Sequence, residues 1–137
     1  QVAMGIVNGK CRQETLPQIL KWLVSVQNSD GGWGEDNSGY KTKRFVAAPS
    51  TLSQTALILL GLIKTLELLP ADSLQSVLLK PSIQRGVEFL MDQSQLGTNY
   101  FEPNFSGVLI KGSTYARYEL LPTYMALYVY GSWLKLQ

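Results

Sequence analysis

The chain has 137 residues, 45% of them apolar, a net charge of +2, no histidine and one cysteine, Cys11. That length supports one domain with a real core and is too short for two. The composition excludes an intrachain disulfide and any triad built on an imidazole base, argues against a His/Cys zinc site, and carries no electrostatic footprint for nucleic acid.

The sequence begins at Gln1 rather than Met, which suits a cut fragment or a processed product, and no signal-peptide pattern is visible. Strand signals are weak and the helical period recurs throughout. Thr15 is placed to cap a first helix, with Leu16 and Pro17 in its opening turn. Leu16, Ile19, Leu20, Leu23 and Val26 then return at three- and four-residue spacing until Asp30-Gly31-Gly32 stops the helix. Residues 34 to 49 read as polar and irregular.

Ser50 or Thr51 caps the next expected helix, from about Leu52 to Leu69. Its apolar residues cover nearly the whole circumference, the mark of an inner helix packed on several neighbours. The longest uncharged run, Val46 to Ile63, contains Pro49, Ser50, Ser53 and Gln54, so it is a poor candidate for a membrane-spanning helix. Pro70-Ala71-Asp72 breaks the chain. A short helix is expected from Ser73 to Leu79 and another from Pro81 to about Gln93, with Ile83, Val87, Leu90 and Met91 on one face. Residues 95 to 112 read as loop. The last segment, from about Tyr115 to Leu136, reads as helix interrupted near Pro122, and carries tyrosines at 115, 118, 124, 128 and 130 plus Trp133.

The stretch Asp30 to Asp36 admits three chemistries. As a phosphate cradle it fails: Gly31-Gly32-x-Gly34 follows a helix and lacks both the lysine and the opening helix of that motif. As an acid site it offers Asp30, Glu35 and Asp36, but exposed loop carboxylates titrate near 4, and strong acid chemistry needs burial. The structural reading is better. A helix end leaves four carbonyls without partners and the next helix start leaves four N–H groups. A glutamine amide serves both kinds of orphan, and a tryptophan folded over it excludes water. Gln27, Gly31 and Trp33, with Trp22 behind them, are the expected clamp.

An echo follows. "ILKWLVSVQNSDGGW" compares with "GVEFLMDQSQLGTNY", in which Ser94 stands at the glutamine position and Tyr100 at that of the tryptophan. Repeated helix pairs of this size argue for an all-α toroid or solenoid, each pair needing neighbours to bury both faces.

Trp22-Leu23-x3-Gln27-x3-Gly31-Gly32-Trp33 resembles the glutamine-tryptophan repeat of the triterpene cyclases, which include squalene-hopene and oxidosqualene cyclases. "DGGWGED", "STLSQTALILLGL", "IQRGVEFL", "FEPNFSGVLI" and "LPTYMAL" follow in the order of that family's C-terminal region, so the resemblance covers residues 1–137. It implies antiparallel helix pairs forming part of an α/α barrel. It also implies a class II terpene cyclase, which protonates a polyprene such as squalene or oxidosqualene and steers carbocations past aromatic faces. Members of this kind sit on one membrane leaflet. No cofactor or metal is expected. The family's acid, an Asp-x-Asp-Asp run, is absent, so no catalytic residue is assigned here. The match corresponds to roughly the last fifth of a cyclase, and this piece is expected to need the remainder of its parent and to be inactive alone.

The family's Tyr-x-x-Tyr spacing is reproduced by Tyr115 and Tyr118. On a helix such residues share a face, and both are expected to line the substrate cavity. In "GVLIKGST" the residues Val108, Leu109 and Lys111 depart from the phenylalanines of bacterial members: either Lys111 points outward or the late cyclisation steps are altered. Two other readings stand beside this one. One is a catalytically silent helical scaffold or interaction domain. The other is a protein prenyltransferase β-like barrel, disfavoured because its zinc needs a histidine.

Overall fold

The computed structural model describes residues 15–95, 107–110, 114–116 and 120–136. They form five helices and one small hairpin. Helix α1 (Leu16–Ser25) has Pro17 in its first turn and turns Leu20 and Leu23 into the core. Thr15 is not the expected side-chain cap. Its backbone is already right-handed helical and its side chain makes no cap hydrogen bond, whereas a capping hydroxyl needs an extended residue to reach back.

The stretch between α1 and the long helix that opens at Leu52 is more ordered than its polarity suggests. Glu35 and Ala47 form an antiparallel bridge, and Asp36 N–H donates to the Val46 carbonyl at 2.9 Å. A single turn, α2 (Gly39–Thr42), fills the tip, and Lys43 leaves it with φ of 55°.

Helix α3 (Leu52–Leu68) starts where the side chain of Thr51 accepts the Gln54 N–H, an ordinary N-cap from an extended residue. Among its residues only Lys64, Glu67 and Leu68 are exposed. It is the inner helix of the described structure, packed against both α4 (Leu74–Gln95) and α5 (Leu121–Leu134). Leu59, Leu62 and Ile63 of α3 meet Leu79, Ile83 and Leu90 of α4 in one core, which α1 closes with Leu20 and Leu23 and α5 with Ala126 and Val129.

Two expected boundaries move. The proline at 81 does not separate two helices: α4 is continuous through it. Leu79, Ser82 and Ile83 are fully buried while Pro81 itself is exposed, so packing on both sides of the proline holds the helix together against the lost N–H. Met91, placed with the core face of α4, is half-exposed.

The C-terminal segment also differs. Residues Gly107–Ile110 (β1) and Thr114–Ala116 (β2) pair antiparallel, with Gly107 opposite Ala116, Val108 opposite Tyr115 and an irregularity before the Ile110–Thr114 pair. The run Val108-Leu109-Ile110 followed, past Lys111-Gly112-Ser113, by Thr114-Tyr115 is rich in β-branched and aromatic residues around a glycine, a hairpin pattern where a loop to residue 112 and a helix from Tyr115 are expected. Pro122 opens α5 rather than interrupting it. The architecture is all-α, built from packed helix pairs, with this hairpin as its one sheet among the described residues.

Candidate functional site: the glycine-tryptophan turn

The turn begins where α1 runs out of helical partners. Val26 N–H reaches the Trp22 carbonyl, but Gln27 N–H tightens onto Val24, and the Leu23 carbonyl is left without a backbone donor. The indole Nε1–H of Trp33 donates to that carbonyl at 2.8 Å. The ring is 2% exposed, so the bond lies in a dry interior where an unpaired carbonyl would be costly.

The Trp33 backbone is held from the other side by α3. Its N–H donates to Thr55 Oγ1 at 2.9 Å, and its carbonyl accepts the Thr51 N–H at 3.0 Å. One residue thereby joins the end of α1 to the start of α3.

Gln27 acts in a different direction from the one expected. Its Nε2 donates to the Gly31 carbonyl at 2.7 Å and to the Ser82 carbonyl at 2.9 Å. Its Oε1 accepts from Ser82 Oγ at 2.9 Å and from the Arg85 guanidinium. Both donors and both lone pairs of the amide are used. The partner is the middle of α4, not a helix end, because Ser82 lies inside a helix that continues through Pro81. The orphan carbonyl is served by the indole and the amide grips a neighbouring helix.

Two glycines allow the close approach. Gly31 has φ of +89°, and a Cβ there would fall 2.4 Å from the Arg85 carbonyl oxygen. Gly86, on the next residue of α4, faces Trp33, whose ring would lie 2.9 Å from an added Cβ. Turn and helix therefore touch backbone to backbone at 31 and backbone to ring at 86.

Asn28 completes the turn. Its N–H donates to Gly32 and its side-chain amide to the Ala48 carbonyl and Ser50 Oγ, each at 2.9–3.0 Å. Asp30 Oδ1 accepts from Gly32 N–H at 2.9 Å and Ser50 Oγ at 2.7 Å. Asp36 is exposed, and hydrogen bonds from Ser38 hold its carboxyl below the usual value. It is ionised at neutral pH and has no proton to give. The carboxylates of Asp30 and Asp36 do structural work, and the open cleft beside Asp30 has a mixed lining, polar at Asn28, Asp30 and Ser50 and apolar at Ala47, Ala48 and Pro49. Among the described residues no cluster of His, Cys, Asp and Glu could hold a metal ion.

The remaining expected site residues lie elsewhere. Trp22 is apart from the Gln27 network: it is 39% exposed and packs edge-to-face on Phe45, with ring centroids 5.4 Å apart. Tyr115 is on β2, opposite Val108, so the argument from a shared helix face does not apply to it. Tyr118, Lys111 and Tyr100 lie outside the described residues. Ser82, Arg85, Thr55 and Asn28 were missed by the sequence reading. Gly86, set in the middle of a helix where glycine is unfavourable, was the one signal that could have pointed to α4.

The described residues define the class, an all-α domain of packed helices pinned by a half-buried glutamine and a buried tryptophan. Within it, residues 2–135 match the family described as the squalene-hopene cyclase C-terminal domain, and the chain belongs to that family. This sets aside the prenyltransferase reading. The chain is 46% identical over 80 residues, 55% of its length, to a squalene–hopene cyclase of Bradyrhizobium diazoefficiens, of which that covers 11%. It is 34% identical over 103 residues, 74% of its length, to a probable squalene–hopene cyclase of Sinorhizobium fredii, covering 14% of that protein. It is 28% identical over an alignment of 137 positions, gaps included, that takes in 92% of its length, to a dammaradiene synthase of Dryopteris crassirhizoma, covering 19% of that protein. The chain thus spans less than a fifth of these curated relatives.

Proposed function

We propose that residues 1–137 are the C-terminal part of a class II triterpene cyclase that converts a long polyprene, squalene, oxidosqualene or a similar substrate, to a cyclic product through carbocations. The parent is an isomerase, mutase or related lyase whose initiating acid is carried outside this segment, and the segment alone is inactive. Its contribution is mechanical and architectural. Gln27, Gly31 and Trp33 clamp α1 to α3 and α4, and the region of Tyr115 and Tyr118 supplies part of the aromatic cavity wall. Aromatic faces suit that role because they stabilise a passing cation without trapping it as a nucleophile would.

The observation that carries this reading is the family match over residues 2–135, supported by relatives named as cyclases and synthases. The parent is expected to meet its substrate at a membrane surface as a peripheral, monotopic protein. Among the described residues no helix is long and apolar enough to cross a bilayer.

The test uses the full-length parent. Replacing Tyr115 and Tyr118 by Leu should lower turnover or release prematurely quenched products, read by gas chromatography of the extracted lipids. An unchanged rate and product profile in both variants would remove these tyrosines from the cavity wall and favour a scaffold.

A further inference from the structure

Every residue from Lys41 to Phe45 is exposed, the longest such run among the described residues. Three of the chain's 12 lysines and arginines, Lys41, Lys43 and Arg44, stand in it. Phe45 closes the run at 38% exposure and packs edge-to-face on Trp22, itself 39% exposed. Lys21, also exposed, precedes Trp22 on α1.

None of these four cations forms an ion pair among the described residues, where the one pair joins Lys64 to Glu67. The carboxylates at the base of the loop are fewer: Glu35 and Asp36, of which Asp36 accepts the Ser38 N–H. Lys43 also holds φ of 55°, a left-handed conformation that favours glycine. The loop is nonetheless tied into this shape. The Glu35–Ala47 bridge closes its base, and the Gln54 amide bonds both the N–H and the carbonyl of Glu35. At the tip, the Lys41 and Thr42 N–H groups donate to the Ser38 carbonyl.

Unpaired cations beside half-exposed aromatic rings suit the headgroup layer of a membrane. There lysine and arginine meet lipid phosphates while aromatic rings lodge at the boundary with the hydrocarbon. A nucleic acid would need a longer basic stripe. We propose that the Lys41–Phe45 tip, with Lys21 and Trp22, docks on anionic lipid headgroups and makes the parent's membrane contact selective for anionic bilayers. This rests on reading the parent as a peripheral membrane protein and adds the class of lipid, which apolar contact alone leaves open.

The test acetylates the lysines of the full-length protein with and without vesicles and reads each site by mass spectrometry. Lys41 and Lys43 should react freely in solution and become protected on vesicles of phosphatidylcholine with about 30% phosphatidylglycerol, but not on phosphatidylcholine alone. Shielding before vesicles are added, by another part of the polypeptide or by a second copy, overturns the proposal. Equal protection by both vesicles, or by neither, does the same. A second arm measures partition onto the anionic vesicles at low salt. Lys41→Gln, Lys43→Gln and Arg44→Gln together should weaken it by roughly a hundredfold, about fivefold per cation. Lys80→Gln, at an exposed lysine on α4, should weaken it by no more than one such step, and Lys41→Arg with Lys43→Arg should preserve it. Unchanged partition of a triple variant that still melts cooperatively overturns the proposal. A parent that binds neither vesicle defeats the peripheral reading as well; one that binds both alike defeats the proposal alone.

Discussion

Gln27 offers two donors and two acceptor sites, and all four are engaged with Gly31, Ser82 and Arg85. Replacing it by Leu strands the Ser82 hydroxyl and the Gly31 carbonyl in a half-buried site. The expected loss in the full-length protein is about 1–3 kcal/mol, measured by denaturant unfolding. Trp33→Phe keeps most of the ring packing but leaves the Leu23 carbonyl dry and unpaired, with a loss in the same range of about 1–3 kcal/mol. Gly31→Ala meets both a positive φ and the Arg85 carbonyl, so it should destabilise even though it adds a single methyl. Asp36 has a lowered folded-state pKa, so its stabilising contribution is present above the ordinary carboxylate value and fades as pH falls through the lowered one. Asp36→Asn should flatten that part of the acid limb and slightly lower stability at pH 7, where the contribution is fully present.

At the scale of elements, α4 tests propensity against packing. Pro81 removes the N–H that would bond the Val77 carbonyl, yet its own ring is exposed and its neighbours are locked in the core. Pro81→Ala should therefore stabilise, by roughly 1–3 kcal/mol, without moving the Gln27 contacts; calorimetry of the full-length protein checks the sign. The same element shows what sequence reading captures. The existence of α1 was legible from its three- and four-residue apolar spacing, and that of α3 and α5 from apolar runs too long for a strand. The turn was legible because Gln27, Gly31 and Trp33 stand at telling spacings. Ser82 and Arg85 were not, since they lie 55 and 58 residues from Gln27 and bear no local mark of that partnership. Pro81 misled because a local rule was applied where tertiary burial decides. Tyr115 misled because a Tyr-x-x-Tyr spacing suits a helix face, while the β-branched and aromatic hairpin pattern around Gly112 argues for strands.

At the scale of the molecule, the described residues share one core and leave two apolar faces exposed. Leu74, Val77 and Leu78 of α4 and the outer face of α5 leave large apolar side chains in solvent. Contiguous exposed apolar faces of this kind mark contact surfaces. Expressed without the rest of its parent, the segment should self-associate at micromolar concentration, visible as a concentration-dependent mass in light scattering. A monodisperse monomer would show that these faces tolerate water.

The cyclase assignment stands or falls on chemistry by the complete polypeptide. Squalene incubated with the folded full-length protein, then extracted and analysed by gas chromatography and mass spectrometry, should yield a cyclic isomer or its hydrated counterpart of one water more. Oxidosqualene, offered in parallel, should behave likewise if the parent prefers the epoxide. Quantitative recovery of both substrates unreacted, from protein shown to be folded by its cooperative melt, would contradict the account.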